Sequence, residues 1–492
     1  MSAQPKDSAP ANPAQASHDF EPPQALVDFM ATGWEERPVP QEVQAYADRF
    51  AQRRAELSQA YPGTYLLIPA GKERVRANDT SFRFRPSSDF AYLVGVGEPG
   101  SVLVLEPAGA GHRALLFVRA HNRGTRDFFA DRVNGELWVG RHRGVTESET
   151  YYRVDECRPL AALREYLDEL RTGKYPLRLA RSHDVEIDQH FSESEGDAEL
   201  AERLAEMRLI KDDHELAELR NACAISKRAF ADAIRAMRTA ASERAIEGAF
   251  WNRARIEAND VGYLTIAGAG PHACTLHWDR NDGPLHAGDL LLLDAGVECD
   301  SLYTADITRT LPIDGRYSPE QRQIYDLVWE AQRAGIEGVA AGNDFLEPHR
   351  RAMRVLAEGL VELGILKMSV EEALDPDHLY HRRYTLHGTS HMLGLDVHDC
   401  ADARSSEYRY GKLRDGMVLT VEPGLYFQPD DTTVPERFRG IGVRIEDDIA
   451  VTGGAPENLS ASLPARADDV EGWIAEIWDA PRSDGRHDRR SG

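Results

Sequence analysis

Positive charge is scarce in this chain of 492 residues: 58 Lys and Arg stand against 82 Asp and Glu, a formal net charge of −24. Nucleic acid and anionic membrane surfaces both call for a cationic face, so neither is expected as a partner. Cysteine is scarce too. Cys157, Cys223, Cys274, Cys299 and Cys400 are odd in number and widely spaced, with no CxxC pair, which argues against a disulfide framework and a thiolate zinc site. Nowhere do about eighteen apolar residues run together, so no membrane-spanning helix is expected. The opening "MSAQPKDSAPANPAQASHDF" lacks the apolar segment of a secretory signal. A cytoplasmic protein is the resulting expectation. Two hydrolase signatures are also missing, the helix-borne HExxH zinc motif and the GxSxG nucleophile elbow.

What is present suffices for real cores. Hydrophobic residues make up 42% and charged residues 28%, and the length favours two domains plus tails. Residues 1–38, rich in Pro, Ala, Gln and Ser, read as a disordered arm, and 481–492 as a frayed tail. A helical pattern near 41–60 precedes the short runs "TYLLIPA", "DFAYLVGVG", "SVLVLEPAG" and "RALLFV", which read as strands of an α/β domain over 39–190. Leu200, Leu204, Met207, Leu216, Leu219 and Ile225 then keep helical spacing, broken at "KDD". This gives a linker helix over 191–207 and a second domain over 208–480. There, Ser318-Pro319-Glu320-Gln321 supplies a helix cap, a first-turn proline and a capping-box Gln. Strands are expected in "DLLLLDAGV", "DITRTLPI", "MVLTVEPGLYF" and "VRIEDDIAV". The fold class is therefore α+β, with a smaller α/β domain in front.

Carboxylates sit where these strands end. Asp294 closes "LLLLD" and Asp306 opens "DITRTL". A hairpin folded about residue 300 would set them directly opposite, with Cβ atoms roughly 4.5–5.5 Å apart, where like charges are destabilising. Glu422 and Glu446 likewise follow strand-like runs, and folding near 434 would oppose them. A single Asp after an apolar run more often just ends a strand at the surface. Two such pairs in one half-chain are harder to explain that way, because a buried carboxylate is costly unless protonated, paired or bound to metal. "HGTSHMLGLDVHD", over 387–399, adds three histidines; the stretch alone does not tell which of them holds a metal. Four carboxylates and one imidazole form a hard donor set that suits Mn²⁺ or a similar ion. Five ligands exceed the usual share of one catalytic metal, so two divalent ions roughly 3.5–4 Å apart fit better.

"LLLLDAG", "YTADITRT", "HGTSHMLGLDVHD", "VEPGLYF" and "GVRIEDD" occur in an order that resembles the pita-bread metallopeptidases. "RANDTSFRFRPSSDFAYLVGV" resembles the N-terminal domain of the aminopeptidase P family, and "RLIKDDHELAELRNAC" the start of its catalytic domain. The likeness spans about 40–465. It implies Asp294, Asp306, His391, Glu422 and Glu446 as metal ligands, with Glu422 also the proton shuttle. It makes His387 a wall of the substrate pocket, His398 the support of the oxyanion, and His277 a further substrate contact; Arg444 and Tyr263 match residues around the site. The activity implied is release of the first residue from peptides with proline second, by attack of a hydroxide bridging two divalent ions, Mn²⁺ being the expected metal. A homodimer or homotetramer is implied by the same likeness. The rival enzyme is prolidase, which takes only Xaa-Pro dipeptides; the rival of another class is a non-catalytic binding protein on the same fold. His214, His272 and His286 match no motif. Asp306 follows Asp294 by one position more than is usual in the family, and a longer hairpin apex or a bulge would absorb it.

Overall fold

In the computed structural model of the protein, which describes residues 21–35, 40–173 and 175–480, the chain divides into two units between Leu204 and Ala205. The first contains α1 (Gln24–Met30), α2 (Ala47–Ala60), β1 (Tyr65–Pro69), α3 (Ser88–Val94), β2 (Val102–Ala108), β3 (Gly111–Val118), β4 (Glu156–Pro159), α4 (Leu163–Arg171) and β5 (Leu177–Leu179). Its five-stranded sheet has the order β4-β3-β2-β1-β5. The three inner strands are antiparallel and the two outer pairs parallel. Consecutive Leu66, Leu67 and Ile68 are all 0% exposed, so both faces of the sheet are covered. That is why its strands read as unbroken apolar runs rather than alternating ones.

Two expectations change here. "DFAYLVGVG" is a helix, α3, not a strand. The Ser87 hydroxyl accepts from the Phe90 N–H at 3.2 Å and donates to the Pro69 carbonyl at 2.8 Å, capping the helix and tying it to β1. A short apolar run fits a buried helix as well as a strand, and the cap decides. The arm expected over 1–38 contains α1, which starts after Pro23 and buries none of its residues. The rest of that arm at 1–20 and 36–38, and the tail at 481–492, lie outside the described residues.

"KDD" separates α5 (Glu195–Arg208) from α6 (Asp213–Met237), where Asp212 accepts from the His214 and Glu215 N–H groups in a capping box. Beyond α6 come α7 (Glu243–Glu257), β6 (Ile266–Ala269), β7 (Leu290–Asp294), β8 (Thr308–Pro312), α8 (Pro319–Gly338) and α9 (Glu347–Glu362). The chain ends through β9 (Val418–Val421), β10 (Gly424–Tyr426), β11 (Gly442–Arg444), β12 (Asp447–Ala450) and α10 (Ala467–Asp479). Ser318 and Gln321 form the capping box of α8. All five cysteines are buried free thiols. Among the described residues no helix is long and apolar enough to cross a membrane.

Two hairpins carry the acidic residues. In the first, β7 pairs antiparallel with β8 so that Asp294 faces Thr308. The fold point is therefore Ser301, not residue 300. The Cys299 N–H meets the Tyr303 carbonyl at 2.9 Å across a three-residue apex, and Leu302 there is left-handed at φ 71°, as the last residue of such loops usually is. Asp306 is thus two positions short of direct opposition to Asp294. Because the offset is even, both carboxylates stay on one face as diagonal neighbours. In the second hairpin, Val421 faces Asp447 and Gly424 faces Arg444. One register runs through both pairings and sets Glu422 opposite Glu446, at the break where Pro423 offers no N–H.

Arg309, on β8 and 0% exposed, stitches these pieces together. It donates to the carbonyls of Thr308, Glu446, Leu463 and Pro464 at 2.7–2.9 Å and to Asp447 Oδ1 at 2.7 Å. Arg309→Ala leaves Asp447 buried without its cation, and a loss of about 3–5 kcal/mol is expected. Urea unfolding measures it; a loss under about 1 kcal/mol, the worth of a surface pair, would rule out this stitching role.

Candidate active site

Three backbone devices converge on one buried cluster: the two hairpins and a segment running along β9. The Glu422 N–H donates to the Thr389 carbonyl at 2.9 Å, and the Thr420 N–H to the His391 carbonyl at 3.0 Å. His391 is thereby carried to the first hairpin. Its Nε2 lies 3.3 Å from Asp306 Oδ2 and 3.7 Å from Glu422 Oε1. Asp306, His391 and Glu446 each offer a ligand atom within 4.8 Å of the others. His391 Nδ1 lies 3.2 Å from its neighbour's carbonyl, that of Met392. With Nδ1–H donating there, Nε2 is the nitrogen turned to the carboxylates, and once deprotonated it offers the lone pair that a metal requires.

Neutral and cationic donors hold the acids in place. The Tyr263 hydroxyl lies 2.6 Å from Asp294 Oδ1 and 2.5 Å from Asp306 Oδ1, but its single hydrogen serves only one at a time. Thr308 donates to Glu446 Oε2 at 2.6 Å. Arg444, 3% exposed, donates to Asp294 Oδ2 at 2.5 Å, to the Thr308 hydroxyl at 3.2 Å and to the Tyr426 hydroxyl at 2.9 Å.

Four carboxylates thus face one permanent cation. Burial pushes the Glu422 carboxyl up to about 8, with Asp306 and Asp294 adding to the rise. Burial, then Asp306, Glu422 and Asp294, drives Glu446 well above the usual range. Asp294 rises through burial, with Arg444 opposing and Asp306 reinforcing. Burial opposes charge on His391, yet Asp306 and Glu422 hold its pKa up at about 9. Such a cluster demands either protons or cations. Its mutually facing oxygen donors and one imidazole lone pair fit divalent metal ions.

The remaining residues singled out in the sequence border this cluster. His387 lies 2.8 Å from the Tyr426 hydroxyl and 3.4 Å from Glu422 Oε2; burial, then Arg444, lowers its pKa to about 3. The ring of His398 meets that of His391 edge-on, with centroids 4.4 Å apart, and burial followed by His391 lowers its pKa. His277 is exposed on the loop between β6 and β7. No direct contact joins it to the cluster, but it stands close enough to disfavour charge on His387 and His398. His272, matched to no motif, binds Glu243 instead. Sequence reasoning passed over Thr308 and Tyr426. Thr308 is two positions after Asp306 and so on its strand face; Tyr426 closes the run that starts at Glu422. It also passed over Asp448, 0% exposed, which accepts from the Asp306 N–H at 3.1 Å and the Cys223 thiol at 3.3 Å.

Comparison with known proteins identifies the family of both units. The family model described as Metallopeptidase family M24 matches residues 217–453, and that of the aminopeptidase P N-terminal domain matches 50–177. Xaa-Pro aminopeptidase 1 of Streptomyces coelicolor is 50% identical over 459 residues, 92% of each chain. The solved structure of Escherichia coli aminopeptidase P with the inhibitor Pro-Leu aligns at a TM-score of 0.79 with 33% identity, covering 89% of this chain and 99% of that one. The zinc-substituted E. coli enzyme in complex with product aligns at 0.78 with 34% identity and the same coverage.

Thr308→Val removes the hydroxyl that orients Glu446 and keeps the strand's shape. Divalent-ion affinity, read by calorimetric titration with Mn²⁺, is expected to fall about 10–100-fold; an unchanged affinity would mean that Glu446 needs no such support.

Proposed function

Because the chain belongs to metallopeptidase family M24, we propose that it acts as an Xaa-Pro aminopeptidase, releasing the first residue of peptides whose second residue is proline. The observation that carries this reading is the convergence of Asp306, His391 and Glu446 with Glu422 and Asp294 close by, with far more negative charge than Arg444 can balance. A match to the aminopeptidase P N-terminal domain favours this activity over that of a prolidase, and the full donor set favours it over a non-catalytic scaffold. The assignment takes 39–190 as the N-terminal domain, 191–207 as the linker and 208–480 as the catalytic domain.

Asp294, Asp306, His391, Glu422 and Glu446 would hold two divalent ions, and Mn²⁺ suits their oxygen-rich set. When bound, the ions supply Lewis acidity and lower the pKa of a water for attack on the scissile carbonyl. Glu422 is the most open of the four carboxylates, its side chain 16% exposed against 7% for Asp306 and 11% for Asp294. From there it takes the proton of the attacking water and passes it to the departing proline nitrogen. His398 presents a ring N–H to the oxyanion. His387, beside Glu422, lines the pocket for the proline ring, and His277 reaches the substrate from its exposed loop. Tyr263 and Arg444 keep the Asp294 carboxylate fixed. The subunits are read as forming a homodimer or homotetramer, by family likeness. A cytoplasmic setting suits five buried free thiols.

With Mn²⁺ present, Xaa-Pro-Yaa tripeptides should be cleaved after the first residue. Cleavage of Xaa-Pro dipeptides alone would make the enzyme a prolidase, and no cleavage by the loaded protein would leave a scaffold. Asp306→Ala should abolish turnover with the far-ultraviolet circular dichroism unchanged; a metal-loaded variant that still turns over would remove Asp306 from the ligand set.

A further inference from the structure

His277 poses a physical problem. It is exposed, and the loop that bears it, between β6 and β7, has only one short 3₁₀ turn over Gly270–Cys274. An unanchored side chain there would spend most of its time away from the substrate. The next residue, Trp278, is instead nearly buried at 9% exposure, and its indole Nε1–H donates to Glu243 Oε2 at 2.8 Å. Glu243, the first residue of α7, is 0% exposed. Its Oε1 also accepts from the Ala269 N–H at 2.8 Å and lies 2.8 Å from His272 Nδ1, while Oε2 takes the Gly283 N–H at 2.6 Å. One carboxylate therefore binds the start of the loop, Gly283 on its return and the residue beside His277. The imidazole of His272 lies flat on the Trp278 ring, with centroids 3.8 Å apart and planes 23° from parallel, and Arg280 covers Trp278 at 4.2 Å. The carbonyl of Leu276, on the other side of His277, reaches Arg444 Nη2 at 3.5 Å.

We infer that Glu243 is a positioning residue: through Trp278 and His272 it fixes the loop that presents His277 to the substrate. The inference rests on the reading of His277 as a substrate contact. Among the described residues, Glu243 hydrogen-bonds to none of the metal-ligand side chains; besides this loop its carboxylate holds only the Ala269 N–H at the end of β6. Four donors converge on its two oxygens, which only a carboxylate satisfies. A Gln in its place turns one oxygen into an amide NH₂, and two of the four donors lose their acceptor.

The test is a double-mutant cycle on kcat/KM for an Xaa-Pro-Yaa peptide with the Mn²⁺-loaded enzyme, Mn²⁺ content being measured in every variant. Glu243→Gln is expected to lose about tenfold with its metal content unchanged, and to lose less than about twofold when introduced into His277→Ala, since residues acting in series couple strongly. Trp278→Phe keeps an aromatic ring for His272 to stack on but deletes the Nε1–H donor along with part of the indole; it should show a smaller loss that likewise vanishes in His277→Ala, and it carries the test if Glu243→Gln does not fold. Equal losses in the parent and in His277→Ala would overturn the inference, as would a parent-like Glu243→Gln beside an impaired His277→Ala. A His277→Ala enzyme as active as the parent would remove the proposed role of His277 itself, and the anchoring with it.

Discussion

Repulsion among Asp294, Asp306, Glu422 and Glu446 is the constraint that the second unit is built around. Two like charges about 4 Å apart repel by about 4 kcal/mol at an effective dielectric constant of about 20, and a domain's whole stability is about 5–15 kcal/mol. Arg444 offsets one of these charges through its bond to Asp294; nothing else permanent within the cluster offsets the other three. A sequence that keeps four such groups buried together must bind cations or carry protons there. The surrounding scaffold must meanwhile resist splaying apart. Arg309, with its five hydrogen bonds across three segments, and Tyr263, bridging two of the acids, act against that splaying.

Placement follows from strand parity. Glu422 and Glu446 face one another directly, whereas Asp294 and Asp306 sit diagonally, because the first hairpin turns on Ser301. An odd slip would have sent Asp306 to the far side of the sheet and removed it from the cluster. The three-residue apex, with Leu302 in the left-handed region, closes the hairpin on Ser301 and so keeps the offset even. Leucine there costs backbone strain, which burial of its side chain, 2% exposed, offsets. Spacing along the chain and position in space are therefore different quantities: the register at the apex, not the count between the two aspartates, decides whether they share a face.

The four carboxylates were legible from sequence because acids at the ends of apolar strands violate the ordinary rule for buried charge, whereas His391 and the bordering histidines were legible only through the family resemblance. Less legible were groups that break no such rule. Thr308 and Tyr426 are ordinary strand residues, and their value lies in a hydroxyl aimed at a particular partner. Glu243 opens a helix, where an acidic residue is unremarkable; only the folded loop brings four donors to it. The apolar run from Phe90 to Val94 fits strand and helix alike, and only the Ser87 cap decides for the helix α3. The two-residue shift in the first hairpin depended on apex conformation, to which the hydrophobic pattern is blind.

One hydrogen-bond chain runs from Asp294 to Glu422, and its proton positions follow from donor chemistry together with the neutrality of His387. A guanidinium can only donate, so Tyr426 accepts from Arg444 Nη1 at 2.9 Å. His387 Nδ1 faces the Gly388 carbonyl, which can only accept, so in the neutral ring Nε2 accepts the tyrosine's hydrogen across 2.8 Å. His387 must therefore carry its proton on Nδ1, which faces the Gly388 carbonyl at 2.9 Å and Glu422 Oε2 at 3.4 Å. The neutrality of His387, enforced by burial and by Arg444, is what makes this assignment unique, since a charged imidazole would donate from both nitrogens. Arg444 thus does two jobs with one charge: it steadies Asp294 among the acids, and through Tyr426 it orients an N–H toward the carboxylate assigned to proton transfer. A lysine in its place could not span both partners from a planar fork, so the chain from Asp294 to Glu422 depends on the shape of this cation as much as on its sign.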